Sequence, residues 1–307
     1  MARSALRRGR PSAGRRAPRW PLAAVVAGSL GALGCGSREP SPAPPTAVHA
    51  AEPPARPPAA RASVPPAEPA ASVPVPDASP APGPFAELPV PGWEPAVVSL
   101  PAGAPGPRPV LVATHGAGGR AEQHCQLWRG VVGDRAVVLC PRGRPINPHG
   151  PGSPAAAGYF YPSHGALGAE VSAALDALRA RFPDLVDPEA PLFAGYSQGA
   201  VMGALLLPDH PARFARAALV EGGVGELAEW NVPVARRWRE HGGRRVLLAC
   251  GRAQCLPQAR ESARRLARGG VEAQVLYAAG AGHSLREPLP RLLGEAWGWL
   301  VAGDPRW

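Results

Sequence analysis

Apolar residues in this chain gather into short unbroken runs instead of alternating strictly with polar ones. Residues 109–114 (PVLVAT), 136–140 (AVVLC), 190–194 (APLFA), 217–220 (AALV), 245–250 (RVLLAC) and 273–277 (AQVLY) each read as a buried strand, and 95–100 (PAVVSL) suggests an opening one. Between several of these runs the period changes. Over 168–182 (GAEVSAALDALRARF), Val171, Leu175, Leu178 and Phe182 recur on one helical face, and 258–267 carries a second amphipathic pattern. Residues 200–207 form an apolar helical stretch that Pro208 is expected to stop. Strands apolar on both faces, alternating with helices, predict an α/β domain whose mostly parallel central sheet is covered by helices on both sides.

That patterning starts only near residue 85, so part of the length is not fold. The chain has 307 residues and 42 prolines, and many of those prolines lie in 36–84, a Pro/Ala-rich stretch with scattered Arg and Glu. Such a composition cannot bury enough apolar surface to offset its ordering entropy, which predicts a disordered tether biased to polyproline II. Fully extended at ~3.1 Å per residue, it would reach roughly 100 Å or more. All 33 basic side chains are arginine, and Arg3, Arg7, Arg8, Arg10, Arg15, Arg16 and Arg19 precede any acidic residue. Without these seven the net charge of +10 falls to +3, which leaves no electrostatic footprint for nucleic acid.

The same arginines precede 20–33 (WPLAAVVAGSLGAL), an apolar segment too short to span a bilayer, and then Cys35. Residues 1–35 therefore read as an export signal. Ala32-Leu33-Gly34-Cys35 resembles a bacterial lipobox, which implies lipidation at Cys35 and a membrane anchor, although the leucine usual three residues before the cysteine is replaced by Ala32. Simple cleavage is the alternative. Either route puts the mature domain, 85–307, outside the cytoplasm, in the periplasm, on the outer membrane or secreted.

Gly195-Tyr196-Ser197-Gln198-Gly199 directly follows one buried strand and precedes the apolar helix, the context that gives Gly-x-Ser-x-Gly a meaning. A serine presented on such a sharp turn needs glycine on either side, because a side chain there would collide with strand or helix. Some eighty residues earlier, His115-Gly116-Ala117-Gly118-Gly119 follows the strand 109–114. With both motifs present the chain resembles the α/β-hydrolase superfamily, in particular its esterase and dienelactone-hydrolase-like members. The resemblance implies Ser197 as nucleophile, and backbone donors to an oxyanion from Gln198 and from Ala117, with Gly118 the alternative to Ala117. It also implies a histidine base after the last strand, and Gly280-Ala281-Gly282-His283 follows 273–277, so His283 is the candidate.

The acid departs from the family's pattern. An aspartate is expected just beyond 245–250, yet Gly251-Arg252-Ala253-Gln254-Cys255 offers Gln254, which cannot offset an imidazolium charge. Glu221 ends the strand 217–220 and is the replacement carboxylate; Glu226, Glu229 and a dyad without an acid stay open. Four cysteines besides Cys35 fit an oxidising compartment, and of three connectivities Cys125–Cys140 and Cys250–Cys255 are preferred over free thiols. Residues 141–168 read as a long loop over the site, with Tyr159 and Tyr161 as candidate lining of a substrate pocket or as packing beneath it. His124 is expected on a helix surface or beside the pocket. No HExxH or CxxC spacing occurs, so neither metal nor other cofactor is expected. The implied reaction is hydrolysis of a small-molecule carboxylic ester through an acyl-enzyme. Acyltransfer, peptide cleavage and a non-catalytic surface lipoprotein are the alternatives, and nothing in the sequence fixes the oligomeric state.

Overall fold

The computed structural model describes residues 85–103, 106–148, 158–210, 213–225 and 227–307. The export signal, Cys35, the tether, His149 and Glu226 lie outside these residues. The chain opens with β1 (Phe85–Leu88), β2 (Ala96–Ser99) and β3 (Val110–Thr114), followed by α1 (Ala121–Val132), β4 (Val137–Cys140), and two short strands, β5 (Arg144–Pro145) and β6 (Tyr159–Phe160). It continues through α2 (His164–Arg181), β7 (Leu192–Tyr196), α3 (Gln198–Asp209), β8 (Arg216–Val220), α4 (Val232–Glu240), β9 (Arg245–Cys250), α5 (Cys255–Arg268), β10 (Glu272–Tyr277) and α6 (Leu289–Val301). The main sheet has the order β1-β2-β4-β3-β7-β8-β9-β10. β1 and β2 pair antiparallel, and every pair from β4 to β10 is parallel.

The apolar runs are explained by burial on both faces. Along β3, Val110 and Val112 pack with the side chains of α2 and α3, while Leu111 and Ala113 pack on the opposite face with α1 and α6. One core layer therefore holds Leu167, Leu178, Leu206, Trp230, Trp238 and Leu266; the other is built around Trp128 and Trp297, whose rings stand 5.8 Å apart. Each such large side chain removed from water stabilises the fold by roughly 1.5–3 kcal/mol. Side-chain caps help set helix starts: Ser163 accepts from the Ala166 N–H at 3.1 Å, and Asn231 accepts from Val234 at 2.9 Å.

Some boundaries differ from expectation. α3 runs through Pro208 to Asp209, because a proline in the last turn removes only one helical donor. The Pro208 carbonyl is taken up by Arg237 at 3.1 Å. The stretch 141–168 is not one long loop: β5 and β6 pair within it and α2 already begins at His164. β1 was not legible, since FAEL is short and only Leu88 is buried.

Connectivity positions the site. Chain order leaves β3 to one side for β4 and returns to its other side for β7, which makes the β3/β7 boundary a switch point at the carboxyl edge of the sheet. With Thr114 opposite Gly195, the loops leaving β3 and β7 emerge side by side. Two disulfides tie down neighbouring segments, Cys125–Cys140 and Cys250–Cys255. The first joins α1 to β4 across 15 residues. Replacing both of its cysteines by alanine is expected to lower unfolding free energy by about 3 kcal/mol, the loop-closure value for that length. Guanidinium denaturation without reductant measures it, and a change below about 1 kcal/mol would show that packing alone holds the pair.

Candidate active site

Ser197 takes φ 51°, ψ −119°, at the joint between β7 and α3. For a residue with a side chain that backbone is strained by about 1–3 kcal/mol, and the neighbouring contacts enforce it. Its N–H donates to the Val220 carbonyl at 2.8 Å, while Gly199 N–H donates to His115 at 3.1 Å. A Cβ at Gly195 would lie 2.7 Å from Ala200 Cα, and one at Gly199 would lie 2.6 Å from the His115 carbonyl oxygen. The two glycines thus allow strand, helix and the 115–119 loop to meet closely enough to turn the serine outward.

Glu221 lies one step beyond β8, also at positive φ (54°), with its carboxylate buried. His283, on the loop after β10, bridges the two: its Nδ1 is 2.8 Å from Glu221 Oε2 and its Nε2 is 2.9 Å from Ser197 Oγ. An ionised carboxylate only accepts, so Nδ1 carries the proton and Nε2 is free to accept from the serine hydroxyl. Burial pushes the Glu221 carboxyl upward, but the Arg252 N–H, the His283 ring, the Gly251 N–H and the Arg252 side chain outweigh it and hold its pKa below the ordinary value. The distances are 2.5 Å from Gly251 N and 3.0 Å from Arg252 N to Oε1, and 2.6 Å from Arg252 Nε to Oε2. Gln254, where the resemblance leads one to expect an aspartate, is exposed at the entry to α5 and lies outside this cluster.

The remaining expected donors are the amides of Gln198 and Ala117. Gln198 opens α3, where the N–H has no intrahelical acceptor, and among the described residues the Ala117 N–H donates to no backbone carbonyl. Gly118 does not offer the alternative expected of it: its N–H is spent on the Tyr159 carbonyl at 2.9 Å. The two tyrosines are likewise not a substrate lining. Tyr161 is 1% exposed, donates its hydroxyl to the Pro141 carbonyl at 2.9 Å, accepts from the His115 N–H and stacks on the His115 ring at 4.7 Å. Tyr159 is buried, its backbone paired with Gly118 and Gly119 and its ring 5.5 Å from the Arg142 guanidinium. Both brace the 115–119 turn, Tyr161 through His115 and Tyr159 through its backbone bonds with Gly118 and Gly119. His124 is buried too, and desolvation, with the neighbouring His115 second, lowers its pKa to about 3.

Three contributors to this architecture had no distinct signal in the sequence. The Gln198 side chain bonds the Tyr161 backbone twice, accepting from its N–H at 3.0 Å and donating to its carbonyl at 3.3 Å, which fastens the 141–161 segment to the serine turn. Arg252, just past β9, holds the Glu221 carboxylate; its position two residues short of Gln254 was the available hint. Glu170, buried in α2, accepts from Gly143 N–H at 2.9 Å and so anchors the start of the same segment.

The sheet order, the helices on both faces and the serine turn define an α/β-hydrolase fold. No family model matches the chain, and no curated protein matches its sequence. Among solved structures it is similar to TT1662 from Thermus thermophilus, with 22% identity, a TM-score of 0.51, and 71% of this chain and 98% of that one covered. It is also similar to the protein named Putative Dienelactone Hydrolase from Klebsiella pneumoniae, with 17% identity, a TM-score of 0.50, and coverage of 71% and 97%. At these identities the likeness establishes the fold.

Glu170 gives a test of the supporting loop. Burial raises its carboxyl from 4.5 to about 7, against the opposing pull of the Gly143 and Arg142 amides. Because the folded chain then holds that proton more tightly than the unfolded one, the contribution to stability is complete below about pH 4.5 and is lost as pH rises through about 7. Glu170→Gln, always neutral, is expected to be more stable than the parent at pH 8 by up to about 3 kcal/mol, and to differ little at pH 4.5. Urea unfolding at the two pH values measures this; a parent more stable than the variant at pH 8 would mean that the amides keep the carboxylate charged.

Proposed function

We propose that this protein is a serine hydrolase that cleaves carboxylic esters through an acyl-enzyme. The observation that carries the reading is the continuous Ser197–His283–Glu221 hydrogen-bond chain, built on a strained serine turn at the carboxyl edge of the sheet. In the proposed reaction Ser197 Oγ attacks the ester carbonyl while His283 Nε2 takes its proton, and Glu221 offsets the resulting imidazolium charge. The Gln198 and Ala117 amides donate to the oxyanion of the tetrahedral adduct. Collapse expels the alcohol, which leaves with the proton from His283. Water then attacks the acyl-serine, His283 again accepting and returning a proton, and the carboxylic acid departs with Ser197 restored. Glu221 is suited to its part because its charge is already stabilised by four donors before the reaction begins, so little reorganisation accompanies proton transfer.

The expected result with a fluorophosphonate probe is labelling of the folded protein that disappears in Ser197→Ala. A folded chain that does not label would favour a binding protein on a hydrolase scaffold. On a p-nitrophenyl ester, Glu221→Gln is expected to lower kcat by about 10³-fold or more, whereas Gln254→Ala changes it little. The reverse ranking would remove Glu221 from the mechanism.

We also propose that the domain works outside the cytoplasm, anchored through lipid on Cys35. The Arg-rich start, the short apolar segment and the lipobox-like residues 32–35 support this, and two disulfides suit an oxidising compartment. In a bacterial host, wild-type chain should incorporate radiolabelled palmitate and sediment with membranes. Cys35→Ser should do neither; soluble wild-type protein would argue for simple cleavage.

A further inference from the structure

We propose that Arg252 is a positioning residue that sets the acid side of this site's pH range, by competing with His283 for the same oxygen of Glu221. This inference rests on the hydrolase reading. Arg252 Nε and His283 Nδ1 both point at Glu221 Oε2, from 2.6 and 2.8 Å. Glu221 Oε1 is occupied separately, by the backbone N–H groups of Gly251 and Arg252. The carboxylate therefore faces two cationic partners when His283 is protonated, and one of them is permanent.

The consequence follows from Coulomb's law. A lone carboxylate beside an imidazole favours the imidazolium, which keeps the base occupied by a proton up to higher pH. A guanidinium on the same oxygen offsets part of that attraction, so its removal is expected to strengthen the pairing of the carboxylate with a protonated ring. Among the described residues, the titratable rings packed toward His283 are Tyr196 at the end of β7, with its ring 5.3 Å from that of His283, and beyond it His124 on α1, 5.6 Å from Tyr196. Burial of Tyr196, with Glu221 beside it, raises its phenol above the usual value, and the low value of His124 keeps that ring uncharged. Neither changes charge across the range in which a histidine base operates. Arg252 is the cation bonded to the carboxylate of the pair.

The geometry also makes the test clean. Side-chain substitution at Arg252 removes one bond to Oε2 and leaves both backbone donors to Oε1, so Glu221 stays ionised and in place. The Arg252 side chain is 46% exposed, which makes its replacement tolerable to the fold and its influence sensitive to salt.

Arg252→Gln and Arg252→Lys are compared with the parent in two measurements: the pH profile of kcat/KM on a p-nitrophenyl ester, and the titration of the His283 ring nitrogens by proton–nitrogen NMR. In Arg252→Gln both the acid limb and the ring titration are expected to move to higher pH by about half a unit or more, and the difference should shrink at high salt. Arg252→Lys, which restores the charge, should move them back toward the parent. A fall in kcat with the acid limb and ring titration unmoved would overturn the proposal and leave Arg252 a structural support. If the parent neither labels with fluorophosphonate nor hydrolyses esters, the hydrolase reading fails, yet the ring titration still reads whether Arg252 and His283 are coupled. Should Arg252→Gln not fold, Arg252→Met makes the same neutral comparison.

Discussion

A carboxylate buried at the end of a central strand must have its charge satisfied, and the cluster at Glu221 is organised by that requirement. Its oxygens draw in the start of the segment after β9 through Gly251 and Arg252, and the segment after β10 through His283. An unpaired charge at this depth would cost several kcal/mol, so these loops are not free to drift apart. Because His283 also reaches Ser197, the same carboxylate couples the ends of β7, β8, β9 and β10. Positive φ at both Ser197 and Glu221 shows that the backbone is bent out of its preferred regions where these side chains are aimed.

The other half of the rim is held by a different device. The stacked rings of His115 and Tyr161, with the partly buried Gln198 side chain bonded to the Tyr161 backbone, join the turn after β3 to the end of β6 and to the first residue of α3. Arg142 extends it toward the antiparallel edge by donating to the Pro95 carbonyl and pairing with Glu87 and Glu122. Networks of this kind fix one arrangement because each member left unpaired would be costly.

How much of this could be read from the chain follows from what each feature depends on. Strands buried on both faces announce themselves as apolar runs, so the α/β architecture was legible, as were the two Gly-rich turns and the histidine after the last strand. Their signals are local. The carboxylate at 221 was reachable because topology restricts where an acid can stand, once Gln254 fails the chemical requirement. Arg252, Glu170 and the Gln198 side chain were not legible, since what defines them is a partner 27 to 37 residues away, in no register the sequence displays. The tyrosines at 159 and 161 misled for the converse reason: aromatic residues in a Gly/Pro-rich stretch look the same whether they line a cleft or lie beneath it, and only the positions of Pro141, His115 and Arg142 decide.

The ring closed by Cys250 and Cys255 encircles the two amides that hold the acid. Oxidation of that pair therefore does more than strengthen the domain: it ties the order of the charged cluster to the redox state of the surroundings. Reduction would remove the covalent closure of the loop that carries both amides and leave the hydrogen bonds to Glu221 as its remaining ties.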